Sequence, residues 1–202
     1  MGNSVLAVLV CVVPTVLALT SLRASIHSYA GPYNIMFREA SQCPEGTVPK
    51  GAVGGNFTGS LHHLPSTKYP VFDGQLILMR DVGVGDVGVK VVIAKWDNVA
   101  GWRENFFRID AGEVCKVFAT IAHDAIAEVS RLNPKLPKSC PFRKGTYILR
   151  NFSSEIVQRY EHFPVFPYGR FRGDLYYYDM KSKQTVACFR GVSDIVPKVE
   201  KS

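Results

Sequence analysis

Beyond about residue 30 the chain is a series of short apolar runs, each stopped by glycine, proline or aspartate. Residues 87–96 (VGVKVVIAKW) form the strongest run, rich in β-branched side chains. Residues 71–80 (VFDGQLILMR), 102–109 (WRENFFRI), 145–152, 170–178 and 184–192 repeat the pattern, and 33–39 and 54–61 do so more weakly. Such runs read as β-strands. Turn signals separate them at Gly85-Asp86, Asp97-Asn98 with Gly101, Tyr168-Gly169, and the polar stretch 179–183. Short strands with turns at this spacing predict a mainly β domain, an immunoglobulin-like β-sandwich or cup.

One segment has a different period. Between residues 113 and 132, apolar side chains fall at Val114, Val117, Phe118, Ile121, Ala125, Ile126, Val129 and Leu132. These are the i, i+3, i+4, i+7 intervals of one helix face. Asp110 stands where an N-cap belongs, Glu113 follows three residues later, and Asn133-Pro134 ends the run. The spacing predicts one amphipathic helix, with Cys115 in its first turn.

The start of the chain belongs to neither pattern. Residues 5–19 are almost continuously apolar, with small or polar residues at Thr20, Ser21, Ala24 and Ser25. That is the shape of a secretory signal peptide over residues 1–24, cleaved between 18 and 24. The apolar run, interrupted by Pro14, is short for a membrane span. A single domain over 25–202 is expected to remain, and to be secreted or extracellular, with a lysosomal lumen as another destination. Removing Cys11 with the leader leaves Cys43, Cys115, Cys140 and Cys188, an even set suited to two disulfides in three possible pairings. Sequons at Asn56 and Asn151 mark two candidate glycosylation sites.

Charge and motif spacing narrow the chemistry. The net charge of +7 is spread along the chain, which disfavours nucleic acid and leaves an anionic surface as the plausible electrostatic partner. Gly83 to Gly88 fits G-x-G-x-x-G, but strand-forming Val89-Lys90-Val91 follows where a phosphate-binding helix must begin. A glycine-rich hairpin is the expected reading, and no cofactor is expected. No G-x-S-x-G occurs after the leader. His123-Asp124 lies on the helix pattern and His162 in an aromatic loop, so no catalytic residue is assigned and the protein is not expected to be an enzyme. Adjacent His62-His63 point to opposite sides of a strand, so no metal site is assigned. The segment YEHFPVFPYGRF (160–171) carries aromatic side chains on a backbone that Pro164 and Pro167 keep irregular. Phe163, Val165 and Phe166 are rim candidates there for contact with a lipid or membrane surface.

A family resemblance organises these features. Cys140-Pro141-Phe142-Arg143-Lys144-Gly145-Thr146-Tyr147 resembles the Cys-Pro-Phe-x-x-Gly-Thr-Tyr segment of the ganglioside activator, a sphingolipid activator of the ML lipid-recognition superfamily. The strand 89–93, the turn and tryptophan Val99-Ala100-Gly101-Trp102, Cys115, Pro164, Gly169-Arg170-Phe171-Arg172 and Cys188 follow in family order. The arrangement is closer still to the insect chemosensory protein A and B group.

The resemblance implies a lipid-binding β-cup, two splayed antiparallel sheets around an apolar cavity, and the pairing of Cys43 with Cys188 and Cys115 with Cys140. It implies a non-catalytic protein that holds acyl chains or another hydrophobic small molecule for transfer, presentation or chemosensory delivery. A cofactor role in presenting a glycolipid to a hydrolase, or partnership with a receptor, is the alternative. Candidate cavity residues are Trp96, Trp102, Phe106, Phe118, Ile121, Phe142, Tyr147, Leu175 and Tyr177. Arg143 and Lys144 are candidates to meet an anionic headgroup at the rim.

Overall fold

The computed structural model describes residues 29–159 and 165–198. The expected leader, together with His162, Phe163 and Pro164, lies outside the described residues. The strands are β1 (Ala30–Gly31), β2 (Tyr33–Gln42), β3 (Gly55–His62), β4 (Val71–Leu78), β5 (Val87–Asp97) and β6 (Gly101–Glu113). Two helices follow, α1 (Val114–Thr120) and α2 (His123–Leu132). The chain then forms β7 (Gly145–Ser153), a 3₁₀ turn (Ser154–Arg159), β8 (Phe166–Pro167), β9 (Gly169–Asp179) and β10 (Thr185–Pro197).

All strand pairings are antiparallel. A five-stranded sheet in the order β2-β10-β9-β5-β6 faces a three-stranded sheet in the order β3-β4-β7, and β1 pairs with β8 in a small ribbon. The sheets do not close into a barrel, so the domain is a mainly β sandwich or cup. The turn at 83–86 corrects the hairpin reading. Asp86 accepts a hydrogen bond from the Gly83 N–H at 2.7 Å, but β4 and β5 belong to different sheets. The turn therefore carries the chain from one layer to the other.

The helical segment also departs from expectation. Gly112, at φ 80°, lets β6 run on to Glu113, and Glu113 rather than Asp110 caps the helix. Its carboxylate accepts the Cys115 and Lys116 N–H groups, each at 2.9 Å. Asp110 stays in the strand and accepts from the Gly112 N–H. One continuous helix becomes two because the Val117 carbonyl accepts from both Ile121 and Ala122. β-Branched Thr120 and Ile121 sit at this break, where helix propensity is weak. Asn133 fastens the far end, its amide donating to the Ile148 carbonyl of β7 at 2.9 Å.

The sandwich is closed differently along its two edges. On one side β2 lies beside β3, and the Gln42 amide donates to the Phe57 carbonyl at 3.1 Å. On the other side α1 and α2 fill the gap between β6 and β7. The Cys115–Cys140 disulfide ties the first turn of α1 to the segment entering β7, and Cys43–Cys188 ties the end of β2 to β10. Reciprocal Val82–Phe142 backbone hydrogen bonds of 2.8 and 2.9 Å hold that entering segment to the crossing chain after β4. Two disulfides, with no helix among the described residues long and apolar enough to cross a membrane, are compatible with an extracellular protein.

The faces of the two sheets differ in chemistry. On the small sheet Gly59 and Gly74 pair directly, and the Phe72 ring lies across both. A Cβ on either glycine would come within 2.4 Å of that ring. Phe72 in turn stacks on Phe57 at 4.9 Å. On the large sheet the face opposite Tyr177 carries ion pairs: Asp174 with Arg190, Asp194 between Arg38 and Arg170, and Glu104 with Arg172. The apolar side of this sheet therefore turns inward.

The two disulfides differ in the length of chain they close. Cys43–Cys188 spans 145 residues and Cys115–Cys140 spans 25. Loop entropy assigns them upper contributions of about 5 and about 3.5 kcal/mol. In urea titrations, replacing the Cys43–Cys188 pair by alanines is expected to lower unfolding free energy more than replacing the Cys115–Cys140 pair. The reverse order would show that the local contacts of Cys115 outweigh loop closure.

Candidate functional site

Between the sheets, at the end capped by the helices, lies a cavity of about 240 Å³. The small sheet and the loop before it contribute Gly54, Gly55, Phe57, Leu76, Leu78 and Leu149. The large sheet contributes Val87, Tyr177, Val186, Ala187 and Phe189. Val114 and Phe118 of α1, Ile126 and Val129 of α2, and Val82, Leu136 and Phe142 complete the apolar wall. Among the described residues Arg80 is the one charged member of this wall.

Two buried clusters hold this wall in place. Val87, Val114 and Cys115 form one; Leu136, Phe142 and Tyr147 form the other. Val82, Phe118 and Cys140 pack against both. The Phe118 and Phe142 rings meet edge to face at 5.6 Å. The disulfide thus sits at the junction of the clusters, and the helical amphipathic face supplies the side of the cavity that neither sheet covers. Gly54 is constrained by its neighbours: a Cβ there would stand 2.1 Å from the Val186 carbonyl oxygen.

Two wall residues carry polar groups. Burial pushes the Tyr177 hydroxyl up to about 12, so it stays neutral near pH 7. The Arg80 guanidinium pairs with Asp179 through one terminal nitrogen at 3.0 Å. Asp179 also accepts from the Lys181 and Ser182 N–H groups and the Ser182 hydroxyl. The Ser182 N–H and Arg80 hold its carboxyl well below the usual range, at about 2. The Arg80 Nε–H is enclosed and has no hydrogen-bond partner among the described residues.

The candidate cavity residues divide. Phe118, Phe142 and Tyr177 line the cavity. Tyr147 is buried directly behind it, packed with Leu136 and Phe142, and its hydroxyl donates to the Arg143 carbonyl. Leu175 sits farther along β9, opposite Val91 and Phe189. Ile121 is exposed at the helix break. Trp96 and Trp102 pair across the β5–β6 hairpin with ring centroids 5.2 Å apart, and Arg172 stacks over Trp102. Phe106 packs near the far end of the large sheet against Phe107 and Phe171.

The rim candidates are also distributed. Phe166 is half-buried against Tyr33, Phe107 and Phe171, whereas Val165 is exposed. Arg143 pairs with Asp81 at 2.7 Å, and the same carboxylate accepts the Lys144 N–H. The Lys144 N–H first and Arg143 second hold the Asp81 carboxyl below its ordinary value. This basic turn is therefore anchored on the segment between Arg80 and Val82. Of the sequons, Asn151 is exposed at an irregularity of β7, while the Asn56 side-chain oxygen is enclosed without a hydrogen bond among the described residues.

Sequence reasoning missed Arg80 and most of the aliphatic wall. The helical apolar period already contained Val114, Ile126 and Val129. Arg80, at the end of a strand-like run, gave no signal because Asp179 lies 99 residues away.

A family model described as "Protein of unknown function (DUF1091)" matches residues 89–173. The matched stretch runs from within β5 through β6, both helices and β7 into β9. It contains the Cys115–Cys140 disulfide and the helical side of the cavity, but not Arg80, Val87 or Tyr177. No curated protein matches the chain.

The depressed Asp179 carboxyl gives a pH test. A carboxylate held down in the folded state stabilises the fold above its unfolded value near 4, and this contribution is lost as pH falls towards about 2. Asp179→Asn is therefore expected to melt below wild type at pH 6, with the difference closing between about pH 4 and pH 2. Thermal melts across that range check it; a pH-independent difference would assign the effect to lost packing instead.

Proposed function

We propose that this chain is a secreted, non-catalytic protein that reversibly binds a small hydrophobic molecule in the cavity between its sheets. We further propose that its kinship is with the lipid-binding β-cups of the ML superfamily, as the Cys-Pro-Phe-x-x-Gly-Thr-Tyr segment suggests. The observation that carries the reading is the cavity itself. Its wall draws on both sheets and both helices, and nearly all of it is apolar. A well-packed interior of this kind has few voids larger than a water molecule. An apolar hollow forfeits contacts that a filling ligand restores.

The volume bounds the ligand. A dry cavity of about 150 Å³ accommodates benzene, so about 240 Å³ suits a body of about ten carbons. This is smaller than the long acyl chain implied by the family resemblance. Burying about ten methylenes is worth at most about 8 kcal/mol, equivalent to a micromolar Kd before ordering costs. Such affinity favours a carrier that releases its cargo over one that stores it. A hydrolase or receptor partner would act on the loaded protein.

The test uses 1-aminonaphthalene, a ten-carbon probe whose emission responds to polarity. Wild type is expected to bind one equivalent with a blue shift. Val129→Trp, which projects an indole from α2 into the cavity, is expected to reduce binding at least tenfold while the protein stays folded. Filling existing space should keep the overpacking cost at or below about 1–3 kcal/mol. Lack of probe binding by wild type, or equal binding by Val129→Trp, would contradict the reading.

A further inference from the structure

We propose that Asn151, and not Asn56, carries an N-linked glycan, and that this glycan stands clear of the cavity. The inference rests on the secretory part of the proposed function, because such glycans are attached in the secretory pathway. Asn56-Phe57-Thr58 and Asn151-Phe152-Ser153 are both sequons, so the sequence alone makes them equal candidates. The fold makes them unequal.

Asn151 sits where β7 and β4 lose register, between Leu149 opposite Gly74 and Phe152 opposite Phe72. Its φ of 53° lies in the left-handed region, which asparagine enters more readily than most residues with a Cβ. Asp73 holds the backbone there by accepting the Asn151 N–H. The residue is exposed, and its carboxamide makes no hydrogen bond among the described residues. A fixed backbone thus presents a free side chain, and a bulky, hydrated glycan added to it displaces no contact of the fold.

Asn56 is placed differently. It lies inside β3, paired with Ile77 of β4. Its carboxamide oxygen has no accessible surface. A sugar would be linked to the nitrogen of that same planar group, whose other end is pressed into the protein. Its neighbours Gly54, Gly55 and Phe57 all line the cavity, so a glycan on Asn56 would stand beside the ligand. On β7 the last wall residue is Leu149, and Asn151 lies beyond it, away from the end of the strand that α1 and the disulfide hold.

The experiment uses the chain secreted from cultured animal cells. It is treated with peptide N-glycosidase in heavy-oxygen water and mapped by peptide mass spectrometry. The expected result is label at Asn151 and none at Asn56. Ser153→Ala, which removes the sequon but keeps Asn151 in its left-handed conformation, is expected to abolish the electrophoretic shift that the glycosidase causes. Thr58→Ala is expected to leave that shift intact. A last readout needs no variant to fold: the affinity of the wild-type protein for 1-aminonaphthalene should be unchanged by removal of the glycan. Secretion with Asn151 bare, or label at Asn56, would overturn the inference and leave the secretory reading standing. A chain retained in the cell with both sites bare would overturn both. A changed probe affinity after digestion would overturn the placement of the glycan away from the cavity.

Discussion

The Cys115–Cys140 disulfide is the constraint on which the interior depends. It joins the helix that leaves β6 of the large sheet to the chain that enters β7 of the small one. Without a covalent tie at that edge, the helical segment would be held only by its continuity with β6 and by the Asn133 contact to β7. With it, Val114 and Phe118 are held over the gap, and Val82, Phe118 and Cys140 serve both buried clusters. The opposite edge, where β2 lies beside β3, is closed by ordinary strand proximity. The result is a sandwich splayed on one side, with helices where a closed sandwich would have strands.

Splaying has an energetic consequence. Space that could have been packed is left open, and neighbouring contacts must offset the loss. The Cys115–Cys140 disulfide and the Glu113 and Asn133 caps stabilise the helical side. The ion pairs of the large sheet lie on its other face, where even the enclosed Asp174 carboxylate is matched by Arg190. Among the described residues of the wall Arg80 is the charged one, and its guanidinium is matched by Asp179.

Most strands were legible from alternation and turn residues: β2, β6 and β10 run on past the sequence-based ends, β4 stops two residues earlier at Leu78, and the two-residue strands β1 and β8 gave no signal. The helical segment was legible as a face but not as two helices, because the break depends on how Val117 shares its carbonyl rather than on a proline or glycine. The cavity was legible least. Large aromatic residues stood out in the sequence, yet several of them fill space at the ends of the large sheet, as Trp96, Trp102 and Phe106 do. A hollow is lined where side chains are too short to meet, and here valines, leucines and glycines border much of it. Strands apolar on both faces give no sign of which side is inward. The charged turn Arg143-Lys144 drew attention as a headgroup site, but its partner Asp81 lies 62 residues from Arg143, beyond any local pattern.

The most direct measurement is the set of intermolecular nuclear Overhauser effects between saturating 1-aminonaphthalene and the methyl groups of the isotopically labelled protein. Contacts to Val114, Val129 and Leu136, which border the cavity from three successive parts of the chain, are the expected result. Contacts confined to surface methyls such as Val99 and Ile148 would contradict the account.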